Sequence, residues 1–494
     1  MSVSLRNEQI EGMQVRGEVI KSPYPGLIPY SADDAKLFFG RKTETRLVIA
    51  NLYAARLTLF YGGSGVGKSS VLQAGVLHTL ILNPGALGVY FNKWKGNPCA
   101  GLKAKIAEAA TAAVGSDLTL DQTLPLDEYV ARVSKNLKRR LFIILDQFEE
   151  YFLYHREDEE DEFFEEFPLA VRNNEAPVGF LISLREDALS LLDRFEGEIP
   201  ALFDNYLRIK HLDLEGARSA IVEPLAVYNQ QFSDGASRTS CESELVELIL
   251  QDLSRKTREA EGFVTPRKTE QTAQITQPTA KDDLRIKAPY LQLVMTRLWT
   301  EAMRTSPPTM GVATLRKLGG VEKIIDRHLD KSMRGLSWSQ RRLATQVFLY
   351  LVTPSGTKKA YTGEELATLT GVSPQRVTKV LDRLSGSDIR ILNRFETSIG
   401  QQNGSQHTNY EIYHDFLAQP ILAWRAKQRF YQRLLIMQLF WILPAFIVFT
   451  LFLILPNERI NLSDMIFNVI ILTPLLSIPL VIGFLIGRGV ERTR

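Results

Sequence analysis

The sequence predicts an α/β fold built on a parallel sheet, followed by a helical subdomain, a winged-helix domain and a two-helix transmembrane hairpin. Three observations predict it. A glycine-rich loop lies between an apolar strand and a helix, further apolar strands end in charged residues, and two long uncharged runs occupy the carboxyl end.

The strand is the apolar run containing Leu57, Leu59 and Phe60, and it delivers GGSGVGKSS, in which Gly62, Gly67, Lys68 and Ser69 fit G-x-x-x-x-G-K-[ST]. Such a loop curls so that successive N–H groups face phosphate oxygens, and the helix after it points its positive end the same way. The whole stretch, with Gly63, Ser64, Gly65, Val66 and Ser70, is therefore expected to bind ATP or ADP. Lys68 supplies a mobile positive charge and Ser69 a hydroxyl for Mg²⁺.

RRLFIILDQFEE is the second strand, apolar from Leu141 to Leu145 and ending in Asp146, a position suited to the Mg²⁺ shell. Glu149 or Glu150 could orient or deprotonate an attacking water, and the sequence does not choose between them. A third strand, Val178 to Leu184, ends in Arg185, which could reach a terminal phosphate or form an ion pair with Glu186 or Asp187. Leu87 to Trp94 reads as another strand; Cys99 to Val114 and Asp127 to Leu137 read as helices. Before the loop, Phe38 and Phe39 precede Gly40-Arg41; they could stack on adenine or pack on the sheet.

At 494 residues the chain exceeds one ordinary domain, and a net charge of +3 gives no basic field of the kind that binds nucleic acid. Its two cysteines, Cys99 and Cys241, have no metal-ligand spacing and are expected to be reduced and structural. The first residues, MSVSLRNEQIEGMQ, lack an apolar core, so no signal peptide is expected there. Leu434 to Leu455 and Met465 to Ile486 are uncharged and, at about 1.5 Å per residue, long enough for a hydrocarbon core of roughly 30 Å. Arg425, Lys427, Arg429 and Arg433 precede the first run and Arg488, Arg492 and Arg494 follow the second, whereas the connecting loop holds only Arg459. That bias places both ends in the cytoplasm and the chain in the cell membrane.

Between these ends the pattern is helical from Ala217, turns polar from about 254 to 287, which suggests a mobile insertion, and resumes at APYLQLVMTRLW with Pro289 in a first helical turn. From Tyr361 to Leu384, Thr362 with Glu365, the turn at Gly371 and Ser373 mark a helix-turn-helix, and a wing follows between Ile391 and Tyr410. Arg376, Lys379 and Arg383 on its second helix form a modest basic set, so a protein-packing role is favoured over DNA reading. The expected boundaries are 1–21 for an amino-terminal tail, 22–215 for the nucleotide domain, 216–325 for the helical subdomain, 326–432 for the winged helix and 433–494 for the hairpin.

SPYPGL with FFGR, GGSGVGKSS, ILDQFEE, ISLRED, APYLQL with TRLW, LGGV and YHDFLA occur in one order from Ser22 to about Arg429. This ordered set resembles the novel bacterial branch of the STAND class of signalling ATPases. The resemblance implies a switch closed around ADP at rest, opened by ATP and then self-associating. By likeness Arg185 matches a phosphate-sensing arginine, Pro289 the proline that touches the nucleotide, and His414 a winged-helix histidine that contacts ADP. Two departures stand out: Ala288 precedes the proline, where glycine or leucine is usual, and no repeat array of 20 to 50 residues is present to sense a trigger.

The expected function is thus a membrane-anchored ATPase switch responding to an unidentified trigger or sensor protein. Clustering would bring its hairpins together in the bilayer during antiviral defence or programmed cell death. The alternative is an ATPase motor held by an inert anchor.

Overall fold

The sheet forms where the apolar runs predict it. In the computed structural model, five parallel strands lie side by side in the order 86–91, 140–145, 178–185, 57–62 and 206–208. The structure describes residues 13–15, 18–20, 22–115, 121–155, 161–232, 238–260, 284–353, 358–386, 391–398, 406–413, 417–418 and 420–430. The chain divides into two units, Met1–Ile421 and Leu422–Arg494. The described part of the second, 422–430, is helical.

β1 (Met13–Val15) and β2 (Glu18–Ile20) pair as a short antiparallel ribbon. A 3-10 helix, Ala32–Leu37, then leads to α1 (Lys42–Ala54) and β3 (Leu57–Gly62). Beyond the loop, α2 (Lys68–Ser70), a π-helical stretch Val71–Leu77 and α3 (His78–Ile81) run without a break in helical dihedrals. β4 (Ala86–Phe91), α4 (Pro98–Val114), α5 (Leu126–Leu137), β5 (Arg140–Leu145), α6 (Glu149–Tyr154), α7 (Glu162–Arg172), β6 (Val178–Arg185) and β7 (Tyr206–Arg208) complete the layer. Leu141 to Leu145 are buried throughout because helices cover both faces, which is why this strand reads as an unbroken apolar run rather than an alternating one. Ile106, Tyr129, Phe163 and Phe167 pack on one face of the sheet and Val48, Leu52, Leu72 and Val76 on the other.

α8 (Leu214–Phe232), α9 (Ser243–Ala260), α10 (Ala288–Ala302), α11 (Val312–Leu318) and α12 (Gly320–Met333) form a second core around Ile221, Ile249, Val294, Leu298 and Ile325. A two-stranded pair, β8 (Ser240–Cys241) with β9 (Thr309–Met310), ties its ends. Tyr24 of SPYPGL is buried in this core, donates from its hydroxyl to Ile221 O at 2.6 Å and sits edge-on to Trp299. The polar stretch expected from 254 begins later. Ser254–Ala260 continue α9, since Ser254 Oγ donates to Gln251 O and Thr257 Oγ1 accepts from the Lys287 N–H, so both bury their polar atoms satisfied. Residues 261–283 lie outside the described residues.

The third part holds α13 (Trp338–Leu351), α14 (Gly363–Thr370) and α15 (Pro374–Ser385), with a three-stranded antiparallel sheet ordered β10-β12-β11. Its strands are β10 (Tyr361–Thr362), β11 (Leu392–Ser398) and β12 (Gln406–Ile412). Thr362 and Glu365 make the capping box, and Gly371 ends α14 in the left-handed conformation. Ser373 takes the N-cap position of α15, but its side chain makes no capping bond.

Leu434–Leu455 and Met465–Ile486 lie outside the described residues, as does His414. Among the described residues no helix is long and apolar enough to cross a membrane.

One contact joins the first two parts at backbone level. Gly40 has φ +83°, and a Cβ there would stand 2.1 Å from Gly216 O. Gly40→Ala therefore imposes both left-handed strain and a backbone clash, with an expected loss of about 2–4 kcal/mol in urea unfolding. A loss below about 0.5 kcal/mol would refute that close packing.

Candidate functional site

The loop after β3 meets its neighbours in a cleft of about 430 Å³ lined by all three parts of the first unit. Gly67 sits at φ 99° at the N-cap of α2, so the chain reverses into the helix with its first N–H groups facing the cleft. Lys68 Nζ donates to Gly62 O at 2.9 Å and Gly63 O at 3.3 Å. Burial lowers the pKa of this ammonium, and Glu149 and Asp146 oppose that shift. Ser64, Gly65, Val66 and Ser69 also line the cleft, as does Ser70, whose Oγ accepts from Tyr30 N. Pro289 covers the loop: a Cβ on Gly65 would lie 3.2 Å from Pro289 Cγ.

Asp146, at the tip of β5, is fully buried. One carboxylate oxygen accepts from Tyr90 Oη at 2.7 Å and the other from Ser183 Oγ at 2.6 Å, while the Trp94 indole donates to its carbonyl. Neutral hydroxyls thus fix the carboxylate without cancelling its charge. The hydroxyl of Ser69 and this carboxylate are hard oxygen donors of the kind Mg²⁺ takes, so the donor set fits that ion.

Glu149 and Glu150 open α6 at the same cleft. Glu149 Oε2 accepts the N–H of Arg185, and burial raises its pKa against the pull of Lys68. Arg185 lines the cleft, with its guanidinium paired to Asp187 through two hydrogen bonds of 2.9 and 2.6 Å. Both sequence readings of Arg185 therefore have a counterpart: it lies on the cleft wall and it is ion-paired.

Several residues escaped the sequence reading. Arg41 is buried, pairs with Glu44, and donates to Val66 O at 2.8 Å and Lys210 O at 2.9 Å, which pins the loop to the segment after β7. Tyr90, a phenol among aliphatic strand residues, was the visible hint of an acid partner. Lys358, Asn393, Glu411 and Tyr413 reach the cleft from the third part, and no local motif marks them. Lys358 Nζ lies 2.9 Å from Glu411 Oε1. A separate acidic group, Glu162 and Glu166 beside Cys99, is bridged by buried Lys103 at 3.8 and 3.2 Å and reads as a structural ion cluster.

A family model, Novel STAND NTPase 1, matches residues 23–433. The chain belongs to this family. The STAND NTPase also resembles several solved structures in fold. The Aeropyrum pernix ORC1 protein in complex with DNA is 16% identical at a TM-score of 0.41, over 81% of this chain and 96% of that one. The Walker-type ATPase PABY2304 of Pyrococcus abyssi is 14% identical at 0.39, over 81% and 99%, and the Aeropyrum pernix ORC2 protein in ADPNP–ADP complexes 13% at 0.39, over 79% and 94%. A search of curated proteins finds no match.

Burial, followed by the charge of Glu411, pushes the Glu150 carboxyl from 4.5 up to about 7, and Lys358 opposes this. The folded chain thus holds this proton more tightly than the unfolded chain, and its stability falls as pH rises from about 4.5 to about 7. Glu150→Gln should flatten that slope and gain about 1–3 kcal/mol at pH 8 relative to wild type. Thermal melts across pH 4.5–8 check it; an unchanged slope would show that Glu150 titrates normally.

Proposed function

We propose that this STAND NTPase is a slow, nucleotide-controlled ATPase switch anchored in the cell membrane, with its nucleotide cleft and both ends of the chain in the cytoplasm. The observation that supports the switch is the make-up of the cleft. The phosphate loop, Pro289 of the helical part, and Lys358, Asn393, Glu411 and Tyr413 of the third part face one cavity. A ligand held by all three parts stabilises their closed arrangement in proportion to its differential affinity for that arrangement. Exchange for a ligand with another phosphate count alters that balance.

We read the third part as a winged helix: the helix-turn-helix of α14 and α15 precedes the ribbon of β11 and β12. It serves here as a wall of the cleft, and by family resemblance His414 would contact bound ADP.

In the chemical step, Lys68 and the N–H groups at the start of α2 would hold the β- and γ-phosphates. Ser69 and Asp146 would hold Mg²⁺, which when bound supplies charge neutralisation between those phosphates. Glu149 or Glu150 orients the water and accepts its proton, and the raised pKa of both makes them better bases than exposed carboxylates. Arg185 stabilises the terminal phosphate if it leaves Asp187.

The apolar runs Leu434–Leu455 and Met465–Ile486 supply the anchor, and clustering of opened chains would bring several hairpins together. Gln438, Thr450, Asn468, Thr473 and Ser477 then offer polar groups for packing between helices or around a pore. An effector of this kind suits antiviral defence or programmed cell death.

Chromatography of nucleotide released by denaturation should give about one ADP per chain, lost in Lys68→Ala, and a monomeric mass at rest. An empty chain that turns ATP over steadily as a ring would indicate a motor instead. Exchanging 433–494 for an unrelated two-span anchor should preserve nucleotide binding and abolish toxicity on expression, and toxicity that survives the exchange would remove the hairpin as effector.

A further inference from the structure

We infer that Gln292, seated by Tyr30, reads the base of the bound nucleotide and selects adenine over guanine. This rests on the nucleotide-cleft reading above and adds the residue that recognises the base. The phosphate-facing part of the cleft is backbone N–H and charge, whereas Leu27, Pro29, Phe38, Leu212 and Leu291 give it an apolar lining suited to a purine face. Two neutral polar side chains, Tyr30 and Gln292, join that lining.

Their hydrogen bonds are asymmetric. Gln292 Nε2 donates to Tyr30 Oη at 3.0 Å, and Tyr30 is itself buried, stacked obliquely on Phe38 at 5.3 Å, and joined through its N–H to Ser70 of the phosphate helix. The other end of the amide, Gln292 Oε1, is buried and has no hydrogen-bond partner among the described residues. A buried acceptor without a donor is costly, and a ligand that brings a donor recovers that cost. Adenine carries an amino group at C6, which donates; guanine carries a carbonyl oxygen there, which would set two acceptors against each other. The tether from Tyr30 to Ser70 fixes the reader relative to the phosphates, so the position of the base follows from the position of the phosphate chain.

Reversal of the amide would have the Tyr30 hydroxyl donate to Oε1 and present Nε2 to the base, which would favour the guanine oxygen, so GDP binding ahead of ADP would overturn the proposal. Gln292→Glu removes this alternative because a carboxylate only accepts, and Gln292→Leu removes both.

The test is the dissociation constant of the 494-residue chain for ADP, GDP and purine riboside diphosphate, the last being ADP without its 6-amino group. ADP should bind roughly 10- to 100-fold more tightly than either. Gln292→Leu should bring the three to comparable affinity, and Gln292→Glu should keep ADP ahead of GDP. Equal wild-type affinity for ADP and purine riboside diphosphate overturns the proposal, even if the leucine variant fails to fold. If ADP and GDP bind alike and Lys68→Ala loses both, base reading falls while the nucleotide cleft stands; a folded wild-type chain that binds none of the three overturns both.

Discussion

A phosphate loop has few side chains of its own with which to keep its shape, so its conformation depends on what grips it from outside. Here Arg41 holds Val66 O and Lys210 O with one buried guanidinium, Pro289 lies over Gly65, and Tyr30 bonds to Ser70. Burial lowers the Arg41 pKa, and neighbouring Glu44 is the main opposing influence that keeps it charged. A pinned loop presents its N–H groups without reorganising, and that preorganisation is what gives electrostatic contacts their strength. The motif Phe39-Gly40-Arg41 thereby acquires a structural reason: the glycine allows close approach to Gly216, and that approach places the arginine.

Much of this was legible because it is local. The acid strand, the phosphate strand and the strand ending in Arg185 are unbroken apolar runs with chemistry at their tips, as a parallel sheet covered on both faces requires. The capping box at Thr362 and the turn at Gly371 are equally local, and they fold where their residues stand. Polar residues in α9 were read as loop because Ser254 and Thr257 satisfy their hydroxyls only through neighbours, one of them Lys287 beyond the intervening segment.

The partners of the site were less legible, since they are set by register. Ser183 reaches Asp146 because β5 and β6 are adjacent and parallel, with Leu145 opposite Ile182. Lys358, bridged to Val352 just past α13, meets Glu411 of β12 far from the loop in sequence. No pattern within a strand or helix announces such meetings. The same remoteness gives Glu150 its character: a carboxylate that the sequence places beside a phosphate loop is perturbed by burial first and by a residue of another part second.

The cleft draws its lining from Gly26 through Tyr413. During synthesis, at roughly 5–20 residues per second, the phosphate loop therefore exists for about 20–60 s or more before its last wall is made. Through that interval the nascent chain has a loop but no fully enclosed pocket, and until α10 emerges any ligand it meets is held by the sheet part alone. The apolar runs follow Tyr413 in the chain. The order of the chain thus permits the nucleotide site to close before those runs are complete.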